Sequence, residues 1–132
     1  MLYCQKIKSG EKMEPVEIAM KIGVLVFAVV VHEVAHGWVA YKLGDPTAKD
    51  VGRLTLNPLP HIDPFMSVLL PAFLIFSGSP FVIGGAKPVP INPAYFRNNK
   101  KDVMLVSLAG PASNLIMAFI GIGLFIAAAK IE

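Results

Sequence analysis

A long apolar run over residues 18–43 constrains the fold of this chain more than any other feature. Its sequence is IAMKIGVLVFAVVVHEVAHGWVAYKL, and Lys21 is the only charged residue ahead of His32. A helix of about 20 predominantly apolar residues spans the hydrocarbon core of a bilayer. The run ends at Gly44-Asp45-Pro46, a helix stop followed by a turn. Residues 18–43 therefore predict a transmembrane helix.

Two further apolar runs follow. Residues 103–129 are long enough to cross a bilayer, and their small side chains permit close packing against another helix. Pro111 should either kink this helix or begin a new helical segment. Residues 65–76, which follow Asp63-Pro64, are too short for a full crossing and predict a re-entrant or partial helix. The chain is thus expected to have two full transmembrane helices and a short third one.

The segments between these runs have a different composition. Residues 44–64 contain short alternating pieces, which predict a small β-hairpin or an extended loop. Residues 84–102 contain closely spaced prolines and predict an extended loop. Residues 1–17 mix lysine and glutamate, and we interpret them as a polar lead-in that is not a cleaved signal. The predicted fold class is an all-α membrane protein with a single domain over residues 1–132.

Composition supports a membrane setting and argues against nucleic-acid binding. Hydrophobic residues make up 55% of the chain and the mean hydropathy is +0.61, which is too apolar for an ordinary soluble domain. The net charge of +3 comes from basic residues in short loops beside apolar runs, where lipid head groups are the expected anionic neighbours. No nucleic-acid partner is therefore predicted. Cys4 is the only cysteine, which excludes an intrachain disulfide and a cysteine-rich zinc site.

The motif His32-Glu33-Val34-Ala35-His36 lies inside the first apolar run. Residues four apart share one helix face, so the two imidazoles can bind one Zn²⁺, with Glu33 beside the bound water as general base. The alternative is a chance pattern of hydrogen-bonded core side chains. A charged carboxylate costs about 2.5 kcal/mol or more to insert into a bilayer, which favours a functional role. The motif predicts His32 and His36 as zinc ligands and Glu33 as the catalytic base.

Three further polar residues are candidates for the same site. Asn114 lies in the last apolar run, where a buried amide could stabilise a developing oxyanion or bond to another helix, and both roles remain open. His61 and Asp63 are candidates for the metal or for the groups that support its ligands. Their alternative role is to shape a turn and to cap the helix that begins at Pro64.

Four blocks of the sequence together resemble the site-2 protease group of intramembrane zinc metalloproteases, peptidase family M50, and more narrowly its small prokaryotic members. The blocks are HEVAHGWVAYKLGDPTAK, GRLTLNPLPHIDPF, GAKPVPINPAYFRN and KKDVMLVSLAGPASNLIMA, and the resemblance covers about residues 31–124. It implies a Zn²⁺ cofactor and cleavage of a peptide bond within or beside a transmembrane segment of a protein substrate. It also implies an integral protein of the prokaryotic cell (plasma) membrane, with Asn114 contacting the substrate or the oxyanion.

The chain departs from this family in its third zinc ligand. The resemblance implies an aspartate in a Leu-Asp-Gly motif on a later transmembrane helix, and the sequence contains no such motif. Three alternatives follow: the chain is a shortened version of a longer protein, His61 or Asp63 completes the zinc site, or the protein binds metal poorly and does not cleave. The competing functions are a non-catalytic membrane protein of the same fold that binds partners or substrate, and a zinc-handling transport fragment. Glu33 between the two histidines counts against the transport fragment.

Overall fold

The computed structural model describes residues 14–78 and 83–130, and within these ranges every regular element is helical. The described residues form four α-helices, one π-helical segment that leads directly into the third helix, and two single 3₁₀ turns. These elements are α1 Pro15–Lys42, α2 Thr47–Asp50, the 3₁₀ turn Leu59–His61, the π-helical segment Pro64–Leu69, α3 Leu70–Phe76, the 3₁₀ turn Pro93–Tyr95 and α4 Asn99–Ala129.

The two long helices, α1 and α4, have the length and composition to cross a membrane. They contain 28 and 31 residues, and the most apolar window of each has a mean hydropathy of 2.1. Only 6% of that window in α1 and none of it in α4 is buried inside the protein, so both helices present apolar surface outward, as lipid contact requires. The predicted all-α membrane fold with two candidate spans is confirmed. The short apolar helix Pro64–Leu74 corresponds to the predicted partial helix.

Local sequence explains where the long helices begin and end. α1 has Pro15 in its first turn, and it ends before Gly44, whose φ of +109° is a conformation that a side chain disfavours. α4 begins after Asn98, whose side chain accepts a hydrogen bond from the Lys101 amide. In return, the buried Asp102 carboxylate accepts a hydrogen bond from the Asn98 amide.

The helix α4 runs unbroken through Pro111. Of the two outcomes predicted there, a new helical segment does not occur. Proline removes one backbone hydrogen bond, and transmembrane helices tolerate this loss where neighbouring groups satisfy the freed carbonyl.

The β-hairpin considered for residues 44–64 is wrong, because the described part of the chain contains no strand there. Asp45 accepts hydrogen bonds from the amide and hydroxyl of Thr47, which starts the short helix α2 instead. Further along, Pro58 and Pro60 lack the N–H groups that a strand ladder needs. The Arg53 guanidinium donates to the Pro60 carbonyl and closes this segment as an irregular loop.

The core of the protein lies between α1 and α4. Ala40 of α1, Val106 of α4 and Phe96 are buried together, and the partly buried side chains of Val39, Leu43 and Ile91 pack around them. Close approach also depends on small residues, as transmembrane packing commonly does. A Cβ on Gly37 would lie 2.8 Å from Leu54 Cδ2 and 2.9 Å from Val89 Cγ1.

The predicted extended loop is present, and residues 83–92 run along the protein without helix or strand. Four backbone amides of this segment donate hydrogen bonds to the rest of the fold, and the first of them, Gly85, donates to the Met66 carbonyl at 3.1 Å. Lys87 donates to the His61 carbonyl at 2.8 Å, Val89 to the Glu33 carboxylate at 3.0 Å and Asn92 to the Asp45 carboxylate at 2.7 Å. The segment therefore connects the short apolar helix to the middle and the end of α1.

Candidate metal centre

The imidazoles of His32 and His36 lie one helical turn apart on α1 and meet at Gly110 of α4. Their ring centroids are 4.7 Å apart and their planes are inclined by 79°. A Cβ added to Gly110 would lie less than 3.0 Å from Nε2 of both rings, which is closer than real Cβ contacts come. Both Nε2 atoms therefore approach one place on α4, and glycine leaves that place free.

The other nitrogen of His36 has a partner that determines its protonation. Nδ1 of His36 lies 2.6 Å from the backbone carbonyl oxygen of Val106. Because a carbonyl only accepts hydrogen bonds, Nδ1 carries the hydrogen and donates it. In a neutral imidazole the lone pair then resides on Nε2, which is the form that binds a metal.

Nδ1 of His32 has a side-chain partner, Asn114 of α4. The amide nitrogen Nδ2 of Asn114 lies 3.1 Å from Nδ1 of His32. The amide oxygen Oδ1 of Asn114 is buried and has no hydrogen-bond partner. The structure thus brings the predicted site residue Asn114 to the motif, in contact with a histidine.

Glu33 is half-buried, and its carboxylate accepts a hydrogen bond from a residue outside α1. The backbone N–H of Val89 donates to Oε2 of Glu33 at 3.0 Å. A cavity of about 270 Å³ opens beside this pair and is lined by Glu33, His36, Pro88, Val89, Ile91, Val106 and Ser107. A larger apolar groove of about 620 Å³ lies between the N-terminal half of α1 and the short apolar helix, and none of the three motif side chains lines it. The smaller cavity is therefore the one next to the reactive groups.

His61 and Asp63 are engaged elsewhere in the fold. His61 is 2% exposed and its Nε2 donates to the Thr55 carbonyl at 3.0 Å, while its Nδ1 is buried without a partner. Asp63 accepts hydrogen bonds from the amides of Met66 and Phe65, which lower the pKa of its carboxyl group. The helix-capping role predicted for Asp63 is therefore present.

The donor set fits part of a zinc site. Within residues 14–78 and 83–130, no group of three histidine, cysteine, aspartate or glutamate side chains is arranged to hold a metal ion. The structure brings together His32, Glu33, His36 and Asn114, and it does not join His61 or Asp63 to them. Two imidazole nitrogens converge at one place, and the second nitrogen of His36 donates to a carbonyl as it does in zinc ligands.

Sequence reasoning missed two backbone groups of this site. The carbonyl of Val106 orients His36, and the amide of Val89 orients Glu33. Neither contact uses the valine side chain, so residue type carries no direct signal. The one available hint was the Pro-Val-Pro pattern at residues 88–90, in which Val89 has the only backbone N–H.

Comparison with known proteins finds similarity to bacterial sequences. The chain is 47% identical over 102 residues to "Putative zinc metalloprotease YwhC" of Bacillus subtilis (strain 168), a match that covers 77% of this chain and 43% of that protein. It is 39% identical over 93 residues to "Putative zinc metalloprotease Rip2" of Mycolicibacterium smegmatis, a match that covers 70% of this chain and 34% of that protein. It is 31% identical over 116 residues to the protein of the same name from Mycobacterium tuberculosis, a match that covers 85% of this chain and 43% of that protein.

The chain is a homologue of these bacterial proteins. It spans less than half the length of each of them. No protein-family model matches the chain, and no solved structure matches it.

Proposed function

We propose that this chain is the part of an intramembrane zinc metalloprotease that provides two zinc ligands, His32 and His36, and the catalytic base, Glu33. The observation that carries the proposal is the approach of both Nε2 atoms to one place at Gly110. The names of the bacterial relatives support a zinc metalloprotease function. The two long apolar helices support a membrane setting, and the four sequence blocks resemble the small prokaryotic site-2 proteases.

The chemistry assigned to the chain's own residues is peptide-bond hydrolysis with Glu33 as general base. Zinc held by His32 and His36 would supply a Lewis acid that lowers the pKa of water and polarises the substrate carbonyl. Glu33 takes a proton from the attacking water and delivers it to the leaving amine nitrogen as the C–N bond breaks. The Val89 amide occupies Oε2 of Glu33, which leaves Oε1 to carry the proton.

The proposed substrate is a transmembrane or membrane-proximal segment of another protein. The cavity beside Glu33 and His36 is bordered by the extended segment over residues 83–92. Proteases commonly bind their substrates as extended strands, and an extended wall suits a substrate helix that has unwound locally. The proposed location is the cell membrane of a prokaryote, and nucleic acid is not among the proposed partners.

A third protein ligand is proposed to come from outside the described residues. A catalytic zinc site normally has three protein ligands and one open position. The described residues provide two converging nitrogens and no third ligand beside them. Relatives more than twice as long as the matched region have room for such a ligand.

The deciding experiment combines zinc analysis with a cleavage assay. The purified chain in detergent is assayed for bound zinc and for cleavage of a transmembrane peptide, beside Glu33→Gln. Glutamine keeps an oxygen for the Val89 amide but cannot take a proton, so we expect zinc binding to persist and cleavage to stop. Glu17→Gln in the exposed first turn of α1 is the matched control and should cleave normally. Absence of zinc binding, or cleavage that survives Glu33→Gln, would refute the proposal.

The second candidate function is a non-catalytic membrane protein of the same fold that binds partners or substrate. The lack of a third ligand among residues 14–78 and 83–130 favours this alternative. Bound zinc without cleavage that depends on Glu33 would support it. The same outcome would refute the proposal that this chain is an enzyme.

A further inference from the structure

We propose that the basic end of the α1–α4 pair is a docking surface for anionic phospholipid head groups. The basic end is the place where α1 finishes and α4 begins, together with α2 and the 3₁₀ turn Pro93–Tyr95. Two contacts bring these parts together. The Asn92 amide donates to Asp45 at 2.7 Å, and a Cβ added to Gly44 would lie 3.3 Å from the Tyr95 carbonyl oxygen. The proposal concerns the surrounding membrane and requires neither zinc nor cleavage.

The exposed charges at the basic end are almost all positive. Residues 41–53 and 93–102 contain one exposed acid, Asp50, because Asp45 and Asp102 are buried and accept hydrogen bonds from backbone amides. The exposed cations of the same ranges are Lys42, Lys49, Arg97, Lys100 and Lys101. At the opposite end of the helix pair, the exposed charges within the described residues balance, and they are Glu14, Glu17, Lys21 and Lys130. The excess of positive charge is therefore concentrated at one end.

Two of these cations lie against aromatic rings. Nζ of Lys42 is 5.3 Å from the centre of the Trp38 ring, and Nζ of Lys49 is 4.8 Å from the centre of the Tyr41 ring and donates to its hydroxyl at 3.0 Å. Tryptophan and tyrosine are enriched at membrane–water interfaces, where their rings lie at the level of the head groups. An ammonium group beside such a ring is placed at the depth of the lipid phosphates.

Apolar surface begins directly beside these charges on both long helices. On α4, Lys101 and the buried Asp102 are followed by the exposed side chains of Val103 and Met104. Ala40 of α1 and Val106 of α4 are buried in one cluster, so both helices change from charged to apolar at the same level. A layer of anionic head groups above a hydrocarbon core matches this pattern. A soluble acidic protein or a nucleic acid would leave the apolar band uncovered.

Electrostatic attraction predicts how large this lipid preference is and how it responds to salt. Each lysine or arginine near an anionic bilayer surface strengthens binding by about fivefold. The attraction is screened over about 10 Å at 0.1 M ionic strength and over about 3 Å at 1 M. The preference for anionic over zwitterionic lipid should therefore fall when a cation is removed and when salt is added.

The test uses Trp38, which is the only tryptophan of the chain and lies at the proposed surface. The protein is reconstituted into phosphatidylcholine vesicles that contain either brominated phosphatidylglycerol or brominated phosphatidylcholine at the same mole fraction. Bromine quenches tryptophan fluorescence only at short range, so the ratio of the two quenching efficiencies measures the preference for the anionic lipid. Differences in the intrinsic emission of Trp38 between variants cancel in this ratio.

Wild type should be quenched more strongly by the brominated phosphatidylglycerol, and this preference should weaken in 1 M salt. Lys42→Gln and Lys49→Gln each remove a cation beside a ring, and each should lower the relative affinity for phosphatidylglycerol by about fivefold. The triple variant Arg97→Gln/Lys100→Gln/Lys101→Gln leaves both rings and their lysines in place and should also lower it. Lys130→Gln, at the opposite end of the helix pair, is the matched control and should keep the wild-type ratio.

Equal quenching of wild type by the two brominated lipids would overturn the proposal. A wild-type preference that persists in full in Lys42→Gln, Lys49→Gln and the triple variant would also overturn it. Inorganic phosphate and chloride at equal ionic strength should weaken the preference equally, and a greater loss in phosphate would assign the surface to free phosphate instead of lipid. Circular dichroism checks the helix content of each variant, and a fold defect in one leaves the others to decide. Because no step uses zinc or cleavage, failure of the proposed protease function would leave this result unchanged.

Discussion

The backbone N–H of Val89 donates a hydrogen bond to the carboxylate of Glu33 at 3.0 Å, which joins the extended segment to the motif helix. Val89 is 6% exposed, so this N–H has no access to water as an alternative acceptor. The prolines on either side have no N–H to offer in its place. The carboxylate proposed as the catalytic base is therefore also a structural partner of the loop.

The first prediction concerns the stability of Glu33 variants. Glu33→Ala removes the acceptor of the buried Val89 amide, and a buried donor left unsatisfied costs about 1–3 kcal/mol of the free energy of unfolding. Glu33→Gln keeps an acceptor oxygen and should lose much less. Reversible unfolding of both variants in detergent micelles measures the difference. Equal stability of Glu33→Ala and Glu33→Gln would show that the Val89 contact does not stabilise the fold.

The second prediction concerns Gly110, where the two histidine rings meet. A Cβ in Gly110→Ala would collide with Nε2 of His32 and of His36, so we expect zinc binding to be lost. Alanine should otherwise favour a helix over glycine by about 1 kcal/mol, so the loss would not reflect a weaker helix. Metal content after equilibration with zinc measures the effect.

Gly121→Ala is the matched control for Gly110→Ala. It lies on the same helix, and a Cβ there would meet nothing within 4 Å. This control should bind zinc as wild type does. Normal zinc binding by Gly110→Ala would mean that the metal does not lie between the two rings and α4.

The structure shows which features the sequence could predict. The two long helices were predictable because uninterrupted apolar length is a local property, and the motif residues were predictable because a spacing of four is fixed by the helix itself. The helix cap at Asp63 was predictable for the same reason, since it depends on the amides of Phe65 and Met66, two and three residues later.

The features that the sequence did not predict depend on contacts between distant parts of the chain. The residues 44–64 alternate in polarity as a strand does, yet Asp45 bonds to Thr47 at the start of the short helix α2 and also to Asn92, 47 positions away. Asn114 could have contacted substrate or another helix, and only the packing of α4 against α1 brings it to His32, 82 positions away. No local pattern specifies such partners.

The third prediction concerns the packing at Gly37. A Cβ in Gly37→Ala would lie 2.8 Å from Leu54 Cδ2, 2.9 Å from Val89 Cγ1 and 3.1 Å from Ala48 Cβ. Overpacking of this kind typically costs about 1–3 kcal/mol, and here it would push Val89 away from Glu33. We therefore expect lower stability together with reduced cleavage.

The control for Gly37→Ala is Gly23→Ala, on the same helix in open space. Thermal unfolding and the peptide-cleavage assay are run on both variants. Gly23→Ala should match or slightly exceed wild type in stability. If Gly37→Ala behaves in the same way, the loop does not pack against α1 as closely as the structure shows.

The fourth prediction is a pH dependence that arises at Asp45, which is fully buried just beyond the end of α1. Burial raises the pKa of this carboxyl group, but hydrogen bonds from the Thr47 hydroxyl and from the amides of Asn92 and Thr47 outweigh it, so the pKa lies below the ordinary value of 3.8. A group with a lower pKa in the folded state stabilises the fold above its unfolded pKa. That stabilisation is lost as the pH falls through 3.8 towards the folded pKa.

The measurement is the free energy of unfolding in detergent from about pH 6 to about pH 2, for wild type and Asp45→Asn. Wild type should be the more stable near neutral pH by about 1.5–3 kcal/mol, because hydrogen bonds to a charged group are the stronger ones. The two curves should converge on acidification as Asp45 becomes protonated. The Asp63 cap, whose pKa is also lowered, should leave a smaller decline of the same sign in Asp45→Asn. Parallel curves would mean that the Asp45 carboxylate does not hold the extended segment to α1.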